Sequence, residues 1–519
     1  MSAIAFLAQL GPVTRIDTPP VAWSALLPVL VLLGGAVMLL VSGALLPRRT
    51  TFGWHATATI VIAAGSIAAV VPLWFRVRDH GPLSVVANAI RVDGFSLFFA
   101  VVISGSVILA ALLTDGYLRR EDLEGAEPYV LLLLSAAGGL VMASANDLIV
   151  MFLGLETLSI AVYVLAGMHQ RRRRSAEAAL KYFVLGGFSS AFFLYGVALV
   201  YGATGTTNLT KIADFLATNV LAEDGLLLAG FALLLVGFGF KIAAVPFHSW
   251  SPDVYEGSPS PIVAFMASGV KTAGFAGLLR VFVFTFSSYR VDWQPIVYGL
   301  AVVTLLGGAV LAVVQTNVKR MLAYSSISHA GFILVGVQAA NERGVSSAMF
   351  YLAAYTLMVA GSFGVATLVG RRGDDHHNLS DYRGLGRTEP LLAFSFMVFL
   401  LAQAGVPFTS GFLAKFYVVG AAIDAHSYWL ALVAMLSSVI SAYLYLRIIT
   451  TMYADPAEAD EAAEAAEGAE TLRRSRLAVP TAARIALVIA VVGTIGLGLV
   501  PGPLHDASRH AVPRLAAGR

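Results

Sequence analysis

The sequence predicts an all-α polytopic membrane protein of about fourteen transmembrane helices, built as two inverted five-helix repeats, helices 4–8 and 9–13, with helices 7 and 12 discontinuous. Three observations carry this. Only 13% of the residues are charged and 58% are hydrophobic, against about 25% charged in a soluble domain. The apolar residues gather in runs of roughly 20, the length that crosses a bilayer core, and about fourteen such runs fit the chain. The tripeptide VPF occurs at 245–247 and again at 406–408, each time inside an apolar run. Proline lacks a backbone N–H and stops or kinks a helix. In lipid the freed backbone is tolerable only inside protein or beside a wet cavity, and interrupted helices at matching places in two halves mark a transporter site.

Taken in order, the first residues, MSAIAFLAQLGPVTRIDTPP, have a short apolar stretch, no basic lead and no small-residue cleavage site, and read as a retained tail in place of a signal peptide. Helices 1–3 are expected near 21–46, 56–75 and 94–118, forming an N-terminal segment, 1–127. The first repeat, 128–286, holds helices near 128–144, 147–168, 178–203, 225–247 and 262–286; Pro246, Pro252, Pro259 and Pro261 punctuate the junction of the last two. The second repeat, 287–453, holds helices near 294–315, 321–339, 345–370, 390–420 (interrupted) and 427–453. An odd number of helices per repeat makes the two run in opposite senses. The stretch DPAEADEAAEAAEGAE, 455–470, reads as the core of a cytoplasmic acidic linker, 454–480. Helix 14, near 481–503, and a tail complete the last segment, 481–519.

Basic residues orient these helices. Loops after odd-numbered helices hold 17 Lys and Arg, including the run Arg171 to Arg174 and the pairs Arg48 and Arg49, Lys319 and Arg320; loops after even-numbered helices hold six. By the positive-inside rule both termini lie on the non-cytoplasmic side. The net charge of +3 therefore concerns topology, and nucleic acid is not an expected partner. The loop RRGDDHHNLSDYRGLGR places Asp374, Asp375, His376 and His377 side by side; four adjacent residues cannot all converge on one metal, so it reads as a surface connection. The absence of cysteine excludes thiolate-held iron-sulfur clusters, cysteine-type zinc sites and thiol catalysis in this chain. The glycines of GTIGLG in helix 14 lie in a span with no strand before them and are explained by helix packing.

The charges inside the spans carry the chemistry. Of six lysines, four fall in expected helices: Lys181, Lys241, Lys271 and Lys415. Glu156 is the one acid deep within a span. Unpaired, five such groups would cost on the order of 12–17 kcal/mol, so they are paired, hydrated or neutral. Burial disfavours a lysine's charged form and a nearby carboxylate favours it, and a lysine balanced between the two can exchange its proton. A fixed Glu156–Lys241 ion pair is the structural alternative, and Lys181, a turn inside helix 6, can snorkel to the interface. His248 at the first break and His329 in helix 10 are imidazoles able to carry a proton near neutrality, or hydrogen-bonded core residues.

At these residues the sequence resembles a known family, the antiporter-like membrane subunits of proton-pumping NADH:quinone oxidoreductase, respiratory complex I. The segments ANDLIVMFLGLETLSIAVYVLAG, AEAALKYFVLGGFSSAFFLYGVALVYGATGT, KIAAVPFHSWSPDVYEGSPSPIVAF, VQTNVKRMLAYSSISHAGF and GVPFTSGFLAKFYVV carry the likeness. Among its branches, the one related to mitochondrial NADH dehydrogenase subunit 2 is favoured by the lysine at 415 and by a chain that ends soon after helix 14. The resemblance implies that Glu156 is the helix 5 glutamate, Lys241 the helix 7 lysine it modulates, Lys271 the connecting lysine and Lys415 the exit-side lysine, with Lys181 and His248 at further polar positions of the axis. It also implies a multi-pass protein of a bacterial-type inner membrane, in contact with lipid and sister membrane subunits. Flavin, iron-sulfur clusters, NADH and quinone belong to partner subunits, with no cofactor in this chain. A subunit of a multi-chain sodium/proton antiporter, a stand-alone secondary transporter or a non-conducting membrane scaffold is the competing expectation. For the topology, a reporter fused after Arg174 is expected to report cytoplasm and one after the last residue the opposite side; both on one side would contradict the fourteen-span count.

Overall fold

The computed structural model describes residues 21–45, 53–123, 125–221, 223–454 and 479–513. The tail expected at 1–20, Arg48, Arg49 and the acidic linker at 455–470 lie outside them. Among the described residues thirteen helices are long and apolar enough to cross a membrane. They are α1 (Trp23–Leu45), α2 (Trp54–His80), α3 (Gly94–Arg120), α4 (Glu127–Ser144), α5 (Leu148–Ala166) and α6 (Arg173–Thr204), then α7a (Gly225–Ile242), α8 (Ser260–Thr285), α9 (Ser287–Val313), α10 (Val318–Ala339), α11 (Glu342–Val369), α13 (Tyr428–Tyr453) and α14 (Thr481–Leu499). Beyond Ile242 the first broken helix resumes as α7b, Trp250–Gly257. The helix expected at 390–420 is two shorter pieces, α12a (Pro390–Ala404) and α12b (Ser410–Asp424). Among the described residues a short hairpin of β1 (Leu83–Val85) and β2 (Ile90–Val92) joins α2 to α3.

Helix starts are set by short polar caps whose side chains satisfy an otherwise orphan backbone N–H. Asp93 caps α3 through Ser96 N at 2.9 Å, Asp147 caps α5 through Ile149 N at 2.8 Å, and Asn317 and Asn341 cap α10 and α11. Close crossings are made by glycine, as in other membrane bundles where small residues let backbones approach. A Cβ on Gly138 of α4 would fall 2.5 Å from Leu158 N of α5, and one on Gly308 of α9 would fall 2.4 Å from Ser328 N of α10. The same device therefore joins α4 to α5 and α9 to α10.

Both VPF segments interrupt their helices, and each break satisfies its own backbone. α7a ends four residues before Pro246, with Ala243 in the left-handed region at φ 59°. The freed Phe240 carbonyl accepts from Trp250 Nε1 at 3.0 Å, and Val245 N donates to Thr304 Oγ1 at 3.0 Å. α12a ends at Ala404, and Gly405 follows at φ 93°, a conformation that favours glycine and a site where a Cβ would sit 3.1 Å from Lys415 Cδ. α8 is continuous but carries π-helical turns at Met266–Val270 and Leu279–Thr285, on either side of the segment that begins with Lys271. Such turns open a gap in the hydrogen-bond ladder and recur at functional sites.

α8 is buried along its whole length and α10 and α11 nearly so, whereas α1, α2, α6 and α14 turn large apolar side chains outward. The inner helices are thus screened from lipid, and they carry the polar residues. Ends of odd-numbered helices gather on one face, where Arg120 at the end of α3 donates to Thr367 O of α11; this is called the basic face below.

Candidate functional site

Three of the lysines singled out by the sequence are buried and share one mode of binding. Lys241, in the last turn of α7a, donates to Ser159 Oγ of α5 at 2.8 Å and lies 5.7 and 5.9 Å from the ring centroids of Tyr182 and Tyr163. Lys271 of α8 donates to Ser326 of α10, at 2.6 Å to Oγ and 2.7 Å to the carbonyl. Lys415 of α12b donates to Ser438 Oγ of α13 at 2.9 Å and to Ala404 O at 3.0 Å, over the Phe332 ring. Ala404 is the last residue of α12a, so the carbonyl freed by the break becomes a ligand of the lysine. Among the described residues no carboxylate lies within 4.0 Å of any of the three.

The direct Glu156–Lys241 pair weighed from the sequence is absent. Glu156 is half-buried and accepts a hydrogen bond from Ser190 Oγ of α6. Ser159, one turn along α5 on the same face, takes the Lys241 ammonium in its place. The consequence is chemical. A carboxylate only accepts hydrogen bonds and so favours –NH3⁺, but a hydroxyl accepts from –NH3⁺ and can turn to donate to –NH2. Ser159 and Ser438 each donate to a helix carbonyl, Leu155 O and Ala404 O, while their oxygens receive the lysine.

The other in-span lysines are held by carboxylates. Lys181 is not brought into the buried row. Its side chain is 42% exposed and pairs with Glu177 and Asp253, both at 2.8 Å. Asp253 on α7b is shared with Arg320 of α10 at 2.8 Å, which also reaches Glu256 at 3.0 Å. Lys319, counted from sequence among loop residues, is wholly buried in the first turn of α10 and donates to Ser258 O at 2.7 Å and Asp374 Oδ2 at 3.3 Å.

Asp374 also corrects the reading of its loop as a surface connection. It is wholly buried, receiving Ser260 Oγ at 2.9 Å, His377 Nε2 at 2.9 Å and Arg172 Nη1 at 3.3 Å. Neighbouring Gly373 N donates to Glu121 Oε2 at 2.7 Å, and Glu121 meets Arg120 and His169. Burial pushes the Asp374 carboxyl up, but Lys319, His377 and Arg172 outweigh it and hold the group far below the usual carboxylate range. Burial pushes the His377 imidazole down and prevails over the attraction of Asp374. This cluster pins the α11–α12 connection to α8, α10 and the entry to α6. Sequence spacing offered one clue, since Lys319 is two helical turns before Ser326 and therefore faces inward with it.

Of the histidines, His329 on α10 is enclosed, with Tyr351 Oη at 2.6 Å from Nδ1 and Tyr445 Oη at 3.1 Å from Nε2. His248 stands in the α7 break, half-buried, with Nδ1 making no hydrogen bond among the described residues.

Residues 145–441 match the family described as NADH:quinone oxidoreductase/Mrp antiporter, TM. The chain is 40% identical over 489 residues to NADH-quinone oxidoreductase subunit N of Trichlorobacter lovleyi, covering 94% of this chain and 96% of that relative. It is similar in structure to a chain of respiratory complex I from Thermus thermophilus with bound aureothin, with TM-score 0.77 and 33% identity over 93% of this chain and all of that one (100%). A chain of the Mrp complex from a Dietzia species aligns with TM-score 0.81 over 94% of this chain and 97% of that one, at 23% identity, a likeness of fold.

The buried cluster yields a prediction. Asp374→Asn leaves Lys319 and Arg172 without their carboxylate and is expected to destabilise the fold by about 3–5 kcal/mol, read as loss of assembled protein on native gels. Asp375→Asn, at a carboxylate that is 63% exposed, should change stability by at most about 1 kcal/mol. The depressed groups also give a sign for pH. The His377 contribution is present above the ordinary imidazole range and is lost as pH falls below it, so thermal stability should decline from pH 7 to 5, well before Asp374 titrates. Equal assembly of the two variants would remove the cluster as a structural lock.

Proposed function

The chain belongs to the NADH-quinone oxidoreductase subunit N family, as a proton-translocating membrane-arm subunit of respiratory complex I, and on that premise we propose that protons cross it along the hydroxyl-held lysines Lys241, Lys271 and Lys415. The single observation that carries the proposal is the serine partner of each, at 2.8, 2.6 and 2.9 Å, a partner suited to both protonation states.

Glu156 acts on Lys241 at one turn's remove through the α5 face they share, Lys271 connects the two halves, and Lys415 releases on the far side. His329 stands between the last two, and His248 serves the first break. Lys181 and Lys319, fixed by carboxylates, hold α7b, α8 and α10 in register and stay charged. The repeats are 128–286 and 287–453; the paired breaks and the matching glycine crossings of α4–α5 and α9–α10 support this division. The basic face is cytoplasmic and both termini lie outside, in keeping with the positive-inside rule.

Quinone reduction in partner subunits, which hold NADH, flavin and iron-sulfur clusters, supplies the energy, and sister antiporter-like subunits abut this one in the membrane arm. Moving one charge against 100 mV requires about 2.3 kcal/mol. A change of charge at Glu156 or at a neighbouring subunit alters the balance at Lys241, and the proton is passed to Lys271 and then to Lys415.

Two substitutions test the row. Lys271→Met removes a buried charge but keeps an apolar chain of similar length, so assembly should persist while NADH-driven proton translocation falls in reconstituted vesicles. Lys241→Arg keeps the charge and cannot release a proton. It should assemble and still lose translocation; an assembled arginine variant with an unchanged proton-to-NADH ratio would leave Lys241 a structural cation only.

A further inference from the structure

Gln403 is buried on α12a, in the turn before the break. Its orientation follows from its neighbours. Ser362 Oγ donates to Met358 O at 2.9 Å and presents its lone pairs to Gln403, and the Phe399 carbonyl, an acceptor only, faces the same amide group. The Gln403 amide nitrogen therefore faces Ser362 at 2.7 Å, with Phe399 O at 3.3 Å as its second acceptor, and Oε1 is left toward Ser325. An amide oxygen is an acceptor only, so Ser325 Oγ donates to it, at 3.3 Å.

The chain continues by the same logic. Ser325, its proton committed, accepts from the Tyr445 hydroxyl at 2.6 Å. Tyr445 in turn accepts from His329 Nε2 at 3.1 Å, which places the imidazole proton on that nitrogen. Nδ1, left with a lone pair, accepts from Tyr351 Oη at 2.6 Å. The links come from α12a, α10, α13 and α11 and are buried throughout.

We propose that Gln403 is a positioning residue that fixes the tautomer of His329, through Ser325 and Tyr445, with the proton on Nε2 and the lone pair of Nδ1 toward Tyr351. The inference rests on the reading of Lys271 and Lys415 as the proton path. Lys271 is held on Ser326 and Lys415 lies over the Phe332 ring, three residues to either side of His329 on α10, while Tyr351, Tyr355 and Tyr445 surround its ring. The backbone adds a link, because Gln403 is bonded to Ala404, whose carbonyl holds Lys415 at 3.0 Å. A shift of the α12 break when Lys415 changes charge displaces Gln403, and the chain carries that displacement to the proton on His329. His329 thereby offers one defined nitrogen to an incoming proton, and the choice is made at the broken helix.

The test is 15N NMR of the whole complex labelled at histidine, with the His329 signals identified by their loss in His329→Gln. In the native complex His329 should show the Nε2–H tautomer alone. Gln403→Leu, which removes the acceptor oxygen, should add a population with the proton on Nδ1 and lower proton translocation to the level of Lys271→Met. Gln403→Glu presents an acceptor oxygen in either protonation state and should keep the native tautomer. Tyr445→Phe cuts the chain elsewhere and should release the tautomer as Gln403→Leu does, which covers a failure of the leucine variant to assemble. An unchanged Nε2–H tautomer in Tyr445→Phe, or in an assembled Gln403→Leu complex, overturns the proposal. Full translocation by Lys271→Met and Lys415→Met would instead overturn the lysine path, and the tautomer measurement would still decide the role of Gln403.

Discussion

The constraint on which this structure depends is that an ammonium taken out of water must be given a partner, and the kind of partner decides whether it can let its proton go. Placing a lysine at membrane depth costs about 3 kcal/mol on insertion scales. The protein meets that requirement in two ways. Lys319 and Lys181 receive carboxylates, which hold them as cations and make them fasteners between helices. Lys241, Lys271 and Lys415 receive serine hydroxyls and helix carbonyls, which satisfy the amine without imposing a charge.

The rest of the architecture supplies the conditions for that second kind of partner. Glycine crossings set α5 against α4 and α10 against α9, while Ser159 and Ser326 reach from α5 and α10 to the lysines of α7a and α8. The break in α12 frees the Ala404 carbonyl for Lys415, and a π-helical turn precedes Lys271 on the most enclosed helix. The carboxylate-held cations lie toward the basic face, where Asp374 and Asp253 tie α7b, α8, α10 and the α11–α12 connection together. A charged end that ties the helices together and a hydroxyl-lined interior are therefore parts of one arrangement, and on the proposed path protons move in the second.

Much of this was legible in the sequence and the remainder has identifiable reasons for being hidden. Apolar runs of bilayer length place the helix ends to within seven residues, the largest difference being α9, expected from 294 and beginning at Ser287, and the VPF tripeptides mark both breaks, because chain length and proline geometry are local properties. The lysines 241, 271 and 415 stood out because a charge in an apolar run has few explanations. Their partners did not, since inward-facing serines are common in membrane helices and nothing local separates Ser326 from Ser328. Asp374 and Lys319 stand in clusters of charges beside helix ends, a pattern that reads as solvated, and their burial is set by tertiary packing from α6, α8 and α11. The alternative of a fixed Glu156–Lys241 ion pair is not realised, because Ser159, one turn along α5, takes the ammonium and Ser190 takes the carboxylate; sequence spacing does not decide between such neighbours.

The most direct measurement of the central claim exchanges a hydroxyl for a carboxylate beside a lysine of the row. Ser326→Asp would give Lys271 an acceptor-only, negatively charged partner, so the pair should be stable and the lysine held as a cation. The reconstituted complex carrying Ser326→Asp is predicted to assemble and to lose NADH-driven proton translocation, while Ser326→Thr, which keeps the hydroxyl, retains it. Full translocation by an assembled Ser326→Asp complex would contradict the claim that the hydroxyl partners are what allow these lysines to pass protons.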